Sequence, residues 1–492
     1  MNSHAKAHGC FSTMGSSARL RFLYWIITGL FRNYEKMDQT VVSRNFIRYN
    51  FYEINPCAEK IRNFGGRKMY IHRDRYLQKI IDRQWNGAIK VITGLRRCGK
   101  SFLLFEIYKK YLLEKGVKPE NILCLALDDD ENERYRDTHE LSAYLRSFIK
   151  DENEQYYILL DEVQYAISAE EWKNKEDVRL YSVLNGLLRK RNVDIYVTGS
   201  NSRFLSSDVL TEFRGRGDEI KVNPLTFSEF MSAYSGTEEQ GWSEYMRYGG
   251  MPRILEMKTD SQKVSYLERL YAEVYMKDIA DRYGFYDLQT MEDLVNILSS
   301  AAGSLTNPSR LADTFQSVEG KNVSDKTVRT YIEALKDSFL ISEAQRFDVR
   351  GNAYIGSPYK YYFSDLGLRN AKLNFRQQDP GHIMENIIYN ELRTRELNVD
   401  VGVVHFSEKG KKVAVEVDFV CNQGSQRFYI QSAYTMPDEE KRVQEERPLI
   451  HIPDSFKKMI LVNDNVKPWH DEKGVTIMSV RQFLMDENSI YL

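Results

Sequence analysis

Eight residues with two glycines, a lysine and a serine separate an apolar run from an amphipathic segment. They read Gly94-Leu-Arg-Arg-Cys-Gly99-Lys100-Ser101 and match the pattern G-x-x-x-x-G-K-[ST]. The glycines let backbone N–H groups turn toward phosphate oxygens, and the start of a following helix adds positive dipole there. We therefore predict a nucleoside triphosphate site in which Lys100 contacts the β- and γ-phosphates and Ser101 binds Mg²⁺.

The residues on either side of this loop support that prediction. Ala88–Thr93 has the composition of a buried strand, and apolar residues recur at helical spacing after the loop until Gly116. A chance match of a glycine-rich loop is the alternative, and the strand–loop–helix context makes it the weaker one. The residues predicted to contact the nucleotide are Gly94, Leu95, Arg96, Arg97, Cys98, Gly99, Lys100, Ser101 and Phe102.

A second apolar run, Tyr156–Leu160, ends in two carboxylates. Side chains at the carboxyl end of a buried parallel strand face the crevice in which ligands bind. We predict that Asp161 contributes to the Mg²⁺ site and that Glu162 polarises the water that attacks the γ-phosphate. Alone, such a pair is as often structural. Because this pair follows a phosphate-binding loop, it favours a protein that hydrolyses the nucleotide over one that only binds it.

Small polar residues and two arginines follow a third strand, Asp194–Thr198. Ser200 and its neighbour Asn201 could reach the γ-phosphate, although a turn or a helix cap explains them nearly as well. Arg214 and Arg216 could stabilise the charge of the transition state, with a solvated turn as the alternative.

Length and composition narrow the class of protein. A chain of 492 residues with 42% apolar and 28% charged residues is expected to form about three globular domains. Its net charge of −1 provides no overall field for nucleic acid, so any such contact must use a local patch. The five cysteines are scattered without metal-ligand spacing, which favours the cytoplasm. The apolar run Phe22–Phe31 has ten residues, about half of what a membrane-spanning helix needs.

The chain divides into four predicted parts. Residues 1–68 are expected to be a poorly ordered extension, since a compact beginning occurs at Met69. Residues 69–255 alternate strands with helices and predict an α/β fold, a P-loop NTPase parallel sheet. A catalytic glutamate beside the Mg²⁺-associated aspartate suggests one added strand between the loop-bearing and carboxylate-bearing strands. We take Ile122–Leu127 as the candidate.

Residues 256–370 read as short helices followed by a hairpin. Asn307-Pro308 and Ser324 are typical helix starts, and the second of these helices has one apolar face. Two strands follow, around Phe339–Ile341 and Tyr359–Phe363. This order predicts a winged-helix domain, whose second helix often enters the major groove, so residues 305–350 are candidates for DNA contact. A helical module that contacts only protein is an equal alternative.

Residues 371–492 return to an α/β pattern. Glu385 lies on a predicted helix, and Asp418 lies on a strand that is followed by the strand containing Gln431 and Ala433. Metal-dependent nucleases of the PD-(D/E)xK kind place a lysine where this chain has Ala433. We therefore predict a restriction-endonuclease-like domain in which Glu385 and Asp418 bind a metal weakly and in which nuclease activity is disfavoured.

Together these motifs resemble a family of prokaryotic AAA-superfamily ATPases with a C-terminal domain of unknown function. The resemblance rests on the phosphate-binding loop, Leu160-Asp-Glu162, Thr198-Gly-Ser-Asn201, Phe213-Arg-Gly-Arg216 and Tyr248-Gly-Gly-Met-Pro252, and it covers the chain from Met69 onward. It implies ATP and Mg²⁺ as ligands, a winged helix after the ATPase core and a nuclease-like domain at the end.

The leading hypothesis is an ATP hydrolase whose nucleotide state repositions the C-terminal domains on DNA or on a protein. A homo-oligomer is among its expected partners, and a membrane is not. The two alternatives are an ATP-dependent nuclease and a nucleotide sensor or scaffold that does not hydrolyse ATP.

Overall fold

The computed structural model describes residues 71–168, 170–171, 178–199, 216–376 and 379–492. The predicted extension, residues 1–68, therefore lies outside the described residues, and so do Ser200, Asn201 and Arg214. The described residues belong to one compact unit, Met69–Leu492.

The first sheet carries the phosphate-binding loop. Within the described residues it has five strands in the order β2-β3-β4-β1-β5, all parallel where they pair. Parallel pairing puts all the carboxyl ends at one edge, which is where ligands bind in such sheets. The strands are β1 Ile89–Gly94, β2 Ile122–Ala126, β3 Tyr156–Asp161, β4 Val193–Thr198 and β5 Gly217–Val222.

The predicted strands and the added strand are confirmed, but the identity assigned to the added strand is wrong. The strand between loop-bearing β1 and carboxylate-bearing β3 is β4, whereas β2 lies beyond β3 at the edge. The burial of β4 explains its position, because all six of its residues are buried, whereas β2 includes partly exposed Cys124 and Ala126. A fully buried strand is typical of an interior position in a parallel sheet, and a partly exposed strand is typical of an edge.

Helices flank this sheet, and a continuous helical path leaves the phosphate-binding loop. That path runs through Lys100–Phe102, a π-helical segment Leu103–Tyr108 and Lys109–Glu114. The other helices of this region are Asp74–Asp82, Thr138–Phe148, Arg179–Leu187, Phe227–Ala233 and Glu238–Tyr248, with 3₁₀ segments Pro119–Asn121, Asp130–Arg136, Val163–Ala166 and Pro252–Glu256.

The second sheet joins the middle of the chain to its end. Within the described residues it has nine strands in the order β13-β14-β12-β11-β10-β9-β7-β8-β6. Hairpin strands β7 and β8 are antiparallel, and β7 also pairs in parallel with β9. The strands are β6 Leu305–Thr306, β7 Ile341–Asp348, β8 Ala353–Phe363, β9 Asn398–Glu408, β10 Lys411–Gln423, β11 Gln426–Ala433, β12 Lys457–Val462, β13 Trp469–His470 and β14 Val475–Ser479.

The helices of this half follow the predicted order of helix, helix and hairpin. The second predicted helix, Asp325–Asp337, begins at the Ser324 cap and buries the face that includes Val328 and Leu335. The helices are Asp260–Arg269, Lys277–Tyr283, Leu288–Ser300, Pro308–Thr314, Asp325–Asp337, Leu366–Lys372, Pro380–Thr394, Glu439–Ile450 and Val480–Met485, with π-helical segments Leu270–Met276 and Phe315–Glu319 and a 3₁₀ segment Glu487–Tyr491.

One hydrophobic core crosses the predicted boundary between the sheet region and the helical region. It contains Leu103 and Ile107 of the helix after the loop, Leu267 and Leu294 of the helical region, and Val328 of the helix before the hairpin. The helix after the loop and the helical region therefore pack against each other in one core. Among the described residues, no helix is both long and apolar enough to span a bilayer.

Candidate active site

The phosphate-binding loop leaves β1 through backbone geometry that only glycine adopts without strain. Gly94 has φ +133°, and a Cβ placed on it would lie 1.9 Å from the carbonyl oxygen of Val222 in β5. Gly99 has φ +101° and directly precedes the helix that starts at Lys100. The two glycines of the pattern thus allow the turn and the close approach of two backbones.

Lys100 is buried, and its ammonium group lies at the concave side of the loop. Its Nζ donates to the carbonyl oxygens of Gly94, at 3.0 Å, and Leu95, at 3.1 Å. The loop is braced from outside by Tyr275, whose hydroxyl donates to the carbonyl oxygen of Arg96 at 2.7 Å. The position of Lys100 fits the predicted contact with the phosphates, because the ammonium is held at the loop instead of in solvent.

Asp161 and Ser101 meet where β3 and the loop's helix come together. The Asp161 carboxylate accepts hydrogen bonds from the side chains of Ser101 and Thr198. Burial raises the pKa of Asp161 above its ordinary value, while these two hydrogen bonds lower it. A hydroxyl and a carboxylate in contact are the oxygen ligands that Mg²⁺ takes beside a triphosphate. The residues present therefore fit the predicted Mg²⁺ site.

Glu162 follows with an unusual backbone that is fixed by the neighbouring strand. Its φ is +49°, a left-handed conformation that costs a non-glycine residue energy. The Glu162 N–H donates to the Thr198 hydroxyl at 3.1 Å, and Gln164 donates to the Glu162 carboxylate. The hydrogen bond from the Glu162 N–H to Thr198 stabilises this strained backbone at the end of β3.

Thr198 is a site residue that sequence reasoning missed. Its hydroxyl bridges the two carboxylate-bearing residues, donating to Asp161 and accepting from the N–H of Glu162. The available signal was a hydroxyl residue at the last position of a buried strand, two residues before the predicted sensor Ser200. The sequence alone does not show that β4 lies next to β3, so it could not identify Asp161 and Glu162 as the hydrogen-bond partners of Thr198.

Arg216 does not lie at the site of its own chain, so its predicted position beside the γ-phosphate is wrong for a single chain. It precedes β5, and its carbonyl oxygen accepts from the N–H of Ile89 at the start of β1. Gly94 is five residues further along the strand than Ile89, which corresponds to a length of about 16 Å. Arg216 is exposed at that far edge.

The turn Tyr248–Pro252 lies against the phosphate-binding loop. A Cβ on Gly99 would lie 3.9 Å from Cγ of Pro252. The N–H of Gly250 donates to Oδ2 of Asp365 at 2.8 Å, and Asp365 caps the helix Leu366–Lys372 that follows β8. The turn therefore touches the loop on one side and the end of the hairpin on the other.

The predicted metal residues of the C-terminal region come together around a lysine that was not predicted there. The Nζ of Lys360, on β8, lies 2.9 Å from Glu385, 2.7 Å from Glu416 and 3.5 Å from Asp418. Ala433 is buried in the hydrophobic core at the end of β11. Among the described residues, no group of three or more His, Cys, Asp or Glu side chains is arranged to hold a metal ion.

Comparison with protein-family models identifies two regions of the chain. Residues 86–231 match the model of an AAA domain, and residues 239–379 match a domain of unknown function (DUF8612). The first match contains the loop, the two carboxylates and Arg216. The second contains the helices and the β7–β8 hairpin with Lys360 and Asp365.

Two curated relatives extend over most of the chain. An uncharacterized protein of Haemophilus influenzae is 32% identical over 423 residues, which are 85% of this chain and 99% of the relative. The uncharacterized protein MJ1544 of Methanocaldococcus jannaschii is 26% identical over 397 residues, 77% of this chain and 81% of the relative. Among solved structures, the Walker-type ATPase PABY2304 of Pyrococcus abyssi is 17% identical, with a TM-score of 0.41 over 64% of this chain and 99% of that one.

Proposed function

We propose that this chain, which belongs to the family of AAA-domain proteins that includes the Haemophilus influenzae relative, is a Mg²⁺-dependent ATPase whose nucleotide state controls its C-terminal regions. The observation that carries the proposal is the meeting of Ser101, Asp161 and Thr198 beside a buried Lys100. We place the activity in the cytoplasm, on the sequence argument from cysteine usage.

The chain's own residues divide the chemistry among them. The Lys100 ammonium would exchange its two loop carbonyls for phosphate oxygens and so offset the charge of the triphosphate. Ser101 and Asp161 would hold Mg²⁺, which neutralises developing charge on the phosphates. Glu162 would accept a hydrogen bond from the attacking water, and the Thr198 bridge would keep its carboxylate aimed.

Arg216 enters the proposal as a residue that acts on a neighbouring chain. It is exposed and about 16 Å of strand away from its own loop, so it would reach a phosphate only across an interface between two copies. A guanidinium supplied in this way stabilises the charge of the transition state. We therefore expect slow hydrolysis by the monomer and faster hydrolysis by a homo-oligomer.

A chain of short contacts supports control of the C-terminal regions by nucleotide. Pro252 packs beside Gly99 at the loop, and two residues earlier Gly250 donates to Asp365. Asp365 lies two residues after the end of β8, the strand that carries Lys360. We propose that a shift of the loop on binding ATP reaches β8 through these contacts, first at the turn Tyr248–Pro252 and then at Asp365.

The helix Asp325–Asp337 is the proposed DNA-contacting element. It buries one face in the core and exposes Lys326 and Arg329 on the other. Together with the hairpin after it, this helix would form the proposed winged-helix unit, and exposed basic side chains on such a helix would bind phosphates of the duplex. A protein partner is the alternative occupant of this face.

Replacing Glu162 by glutamine tests the assigned chemistry. We expect ATP turnover to fall about 100-fold while ATP affinity is retained, because the amide keeps the shape but accepts a proton poorly. Turnover is measured by phosphate release and affinity by calorimetry. Glu140→Gln, on an exposed position of the same domain, is the matched control. Equal turnover of parent and Glu162→Gln would remove Glu162 from the mechanism, and turnover itself excludes a sensor that does not hydrolyse ATP.

Removing two charges from the exposed helix face tests the DNA contact. The double change Lys326→Ala and Arg329→Ala is expected to weaken duplex binding and to reduce the slope of log affinity against log salt by about two. Fluorescence anisotropy with labelled duplex, with and without ATP, measures both. The control is Lys411→Ala with Lys412→Ala, an equally exposed basic pair at the start of β10. Equal loss in both double variants would show that the contact is not at the helix.

A further inference from the structure

Lys360 is buried in a cluster of carboxylates that belong to other elements. It lies on β8, and its relative exposure is 3%. Its Nζ donates to Glu385 of the helix Pro380–Thr394 at 2.9 Å and lies 2.7 Å from Glu416 and 3.5 Å from Asp418, both on β10. One positive charge thus occupies the centre of a site where the sequence predicted a divalent metal.

The carboxylate oxygens that a metal would require are engaged by donors from the protein. Oε1 of Glu385 accepts from Lys360 and also from the Tyr362 hydroxyl at 2.6 Å, and Oε2 faces Nδ1 of His382 at 3.6 Å. Oδ2 of Asp418 accepts from the N–H of Ser432 at 2.9 Å. The ammonium of Lys360 occupies the space between these carboxylates, so a metal ion shared by them would have to displace it.

The charges of the cluster are mutually dependent. Lys360 offsets the burial of Glu385 and, with His382 and Tyr362, holds the pKa of Glu385 below its ordinary value. Burial and the Glu385 charge raise the pKa of Asp418 to about 7. The cluster is short of positive charge even with the lysine present, so removing the lysine would leave buried carboxylates without a counter-charge.

We propose that the Lys360 ammonium is a built-in cation that takes the place of the divalent metal among Glu385, Glu416 and Asp418. The nuclease-like region then keeps its architecture without a metal and does not cleave phosphodiesters. Because the lysine belongs to the hairpin and the carboxylates belong to the helix Pro380–Thr394 and to β10, the same ion pairs also connect the hairpin to the C-terminal part of the sheet.

The test replaces Lys360 by methionine, which keeps the length of the side chain and removes its charge. Melting of the full chain is followed without nucleotide, in EDTA and in Mn²⁺ or Ca²⁺. We expect the Tm of Lys360→Met to fall by about 5 °C or more in EDTA and to recover in part with the divalent ion. The parent Tm should be equal in EDTA and in Mn²⁺.

Two further variants separate cation replacement from simple loss of a buried lysine. Lys263→Met removes another buried lysine, which pairs with one carboxylate, Glu244, and its loss of stability should not be reversed by Mn²⁺. Adding Asp418→Asn to Lys360→Met should abolish the recovery. A Lys360→Met protein as stable as the parent, or a loss that no ion reverses, would overturn the proposal.

The parent protein gives a second test that does not depend on the folding of the variant. Calorimetry with Mn²⁺ should detect no binding that is lost in Asp418→Asn. Plasmid DNA incubated with the parent, ATP and Mg²⁺ or Mn²⁺ should remain uncut. A Mn²⁺ site or a nicking activity that disappears with Asp418→Asn would mean that the lysine assists a metal instead of replacing it.

Discussion

Replacing Lys100 by alanine is expected to lower ATP turnover about 1,000-fold. In the proposed mechanism the buried ammonium lies next to the phosphates, and losing about 4 kcal/mol of charge stabilisation in the transition state corresponds to that factor. ATP affinity should fall as well, because the proposed contact between Lys100 and the nucleotide would exist before and during the reaction. Phosphate release and calorimetry measure the two effects on the same preparation.

A second lysine on the same helical path provides a control, which shows whether the loss of turnover depends on the position of the charge at the loop. Lys110 is solvent-exposed and forms an ion pair with Glu114 at 3.8 Å, away from the loop, so Lys110→Ala should leave turnover unchanged. The variant Lys100→Ala should also keep the parent's Tm in the absence of nucleotide to within a few degrees. If Lys100→Ala hydrolyses ATP as fast as the parent, the loop is not the site of hydrolysis.

The elements that position the loop were predictable because their signals are local. Strand β1, the two glycines and the first apolar positions of the helix are neighbours in sequence, and each has a physical role that does not depend on distant residues. The apolar face of the helix Asp325–Asp337 was predictable for the same reason, since helical periodicity determines which side chains share a face.

The order of strands and the partners of buried charges were not predictable in this way. Nothing in β2 or β4 alone states which of them lies between β1 and β3, so the bridge from Thr198 to Asp161 could not be inferred. Lys360 precedes Asp418 by a hairpin end, two helices and a strand, and only the assembled nine-stranded sheet brings them together. The prediction for Arg216 failed similarly, since position along β5 decides at which edge it lies.

Asp365→Ala is expected to lower the free energy of unfolding by about 3–5 kcal/mol. The Asp365 carboxylate is buried and accepts from the N–H groups of Gly250 and Leu368, at 2.8 and 3.1 Å, and from those of Met251 and Gly367. Alanine would leave these donors without an acceptor in a space closed to bulk solvent. Urea unfolding of the full chain measures the loss. Asp379→Ala, which removes an exposed helix cap, is the control and should cost about 1 kcal/mol.

The pH dependence of stability distinguishes the carboxylate from a merely polar residue at this position. Burial raises the pKa of Asp365 to about 6, against hydrogen bonds from four N–H groups that lower it. The folded chain therefore binds a proton that the unfolded chain has released between about pH 4 and pH 6. The contribution of this proton to the free energy of unfolding is fully present below pH 4 and is lost as the pH rises through 6.

Asp365→Asn cannot titrate, so the stability of the parent relative to Asp365→Asn should fall by about 1 kcal/mol between pH 5 and pH 7.5. A constant difference across this range would show that Asp365 is ionised throughout, and the link between the turn and the hairpin would then be a permanent charge instead of a titrating one.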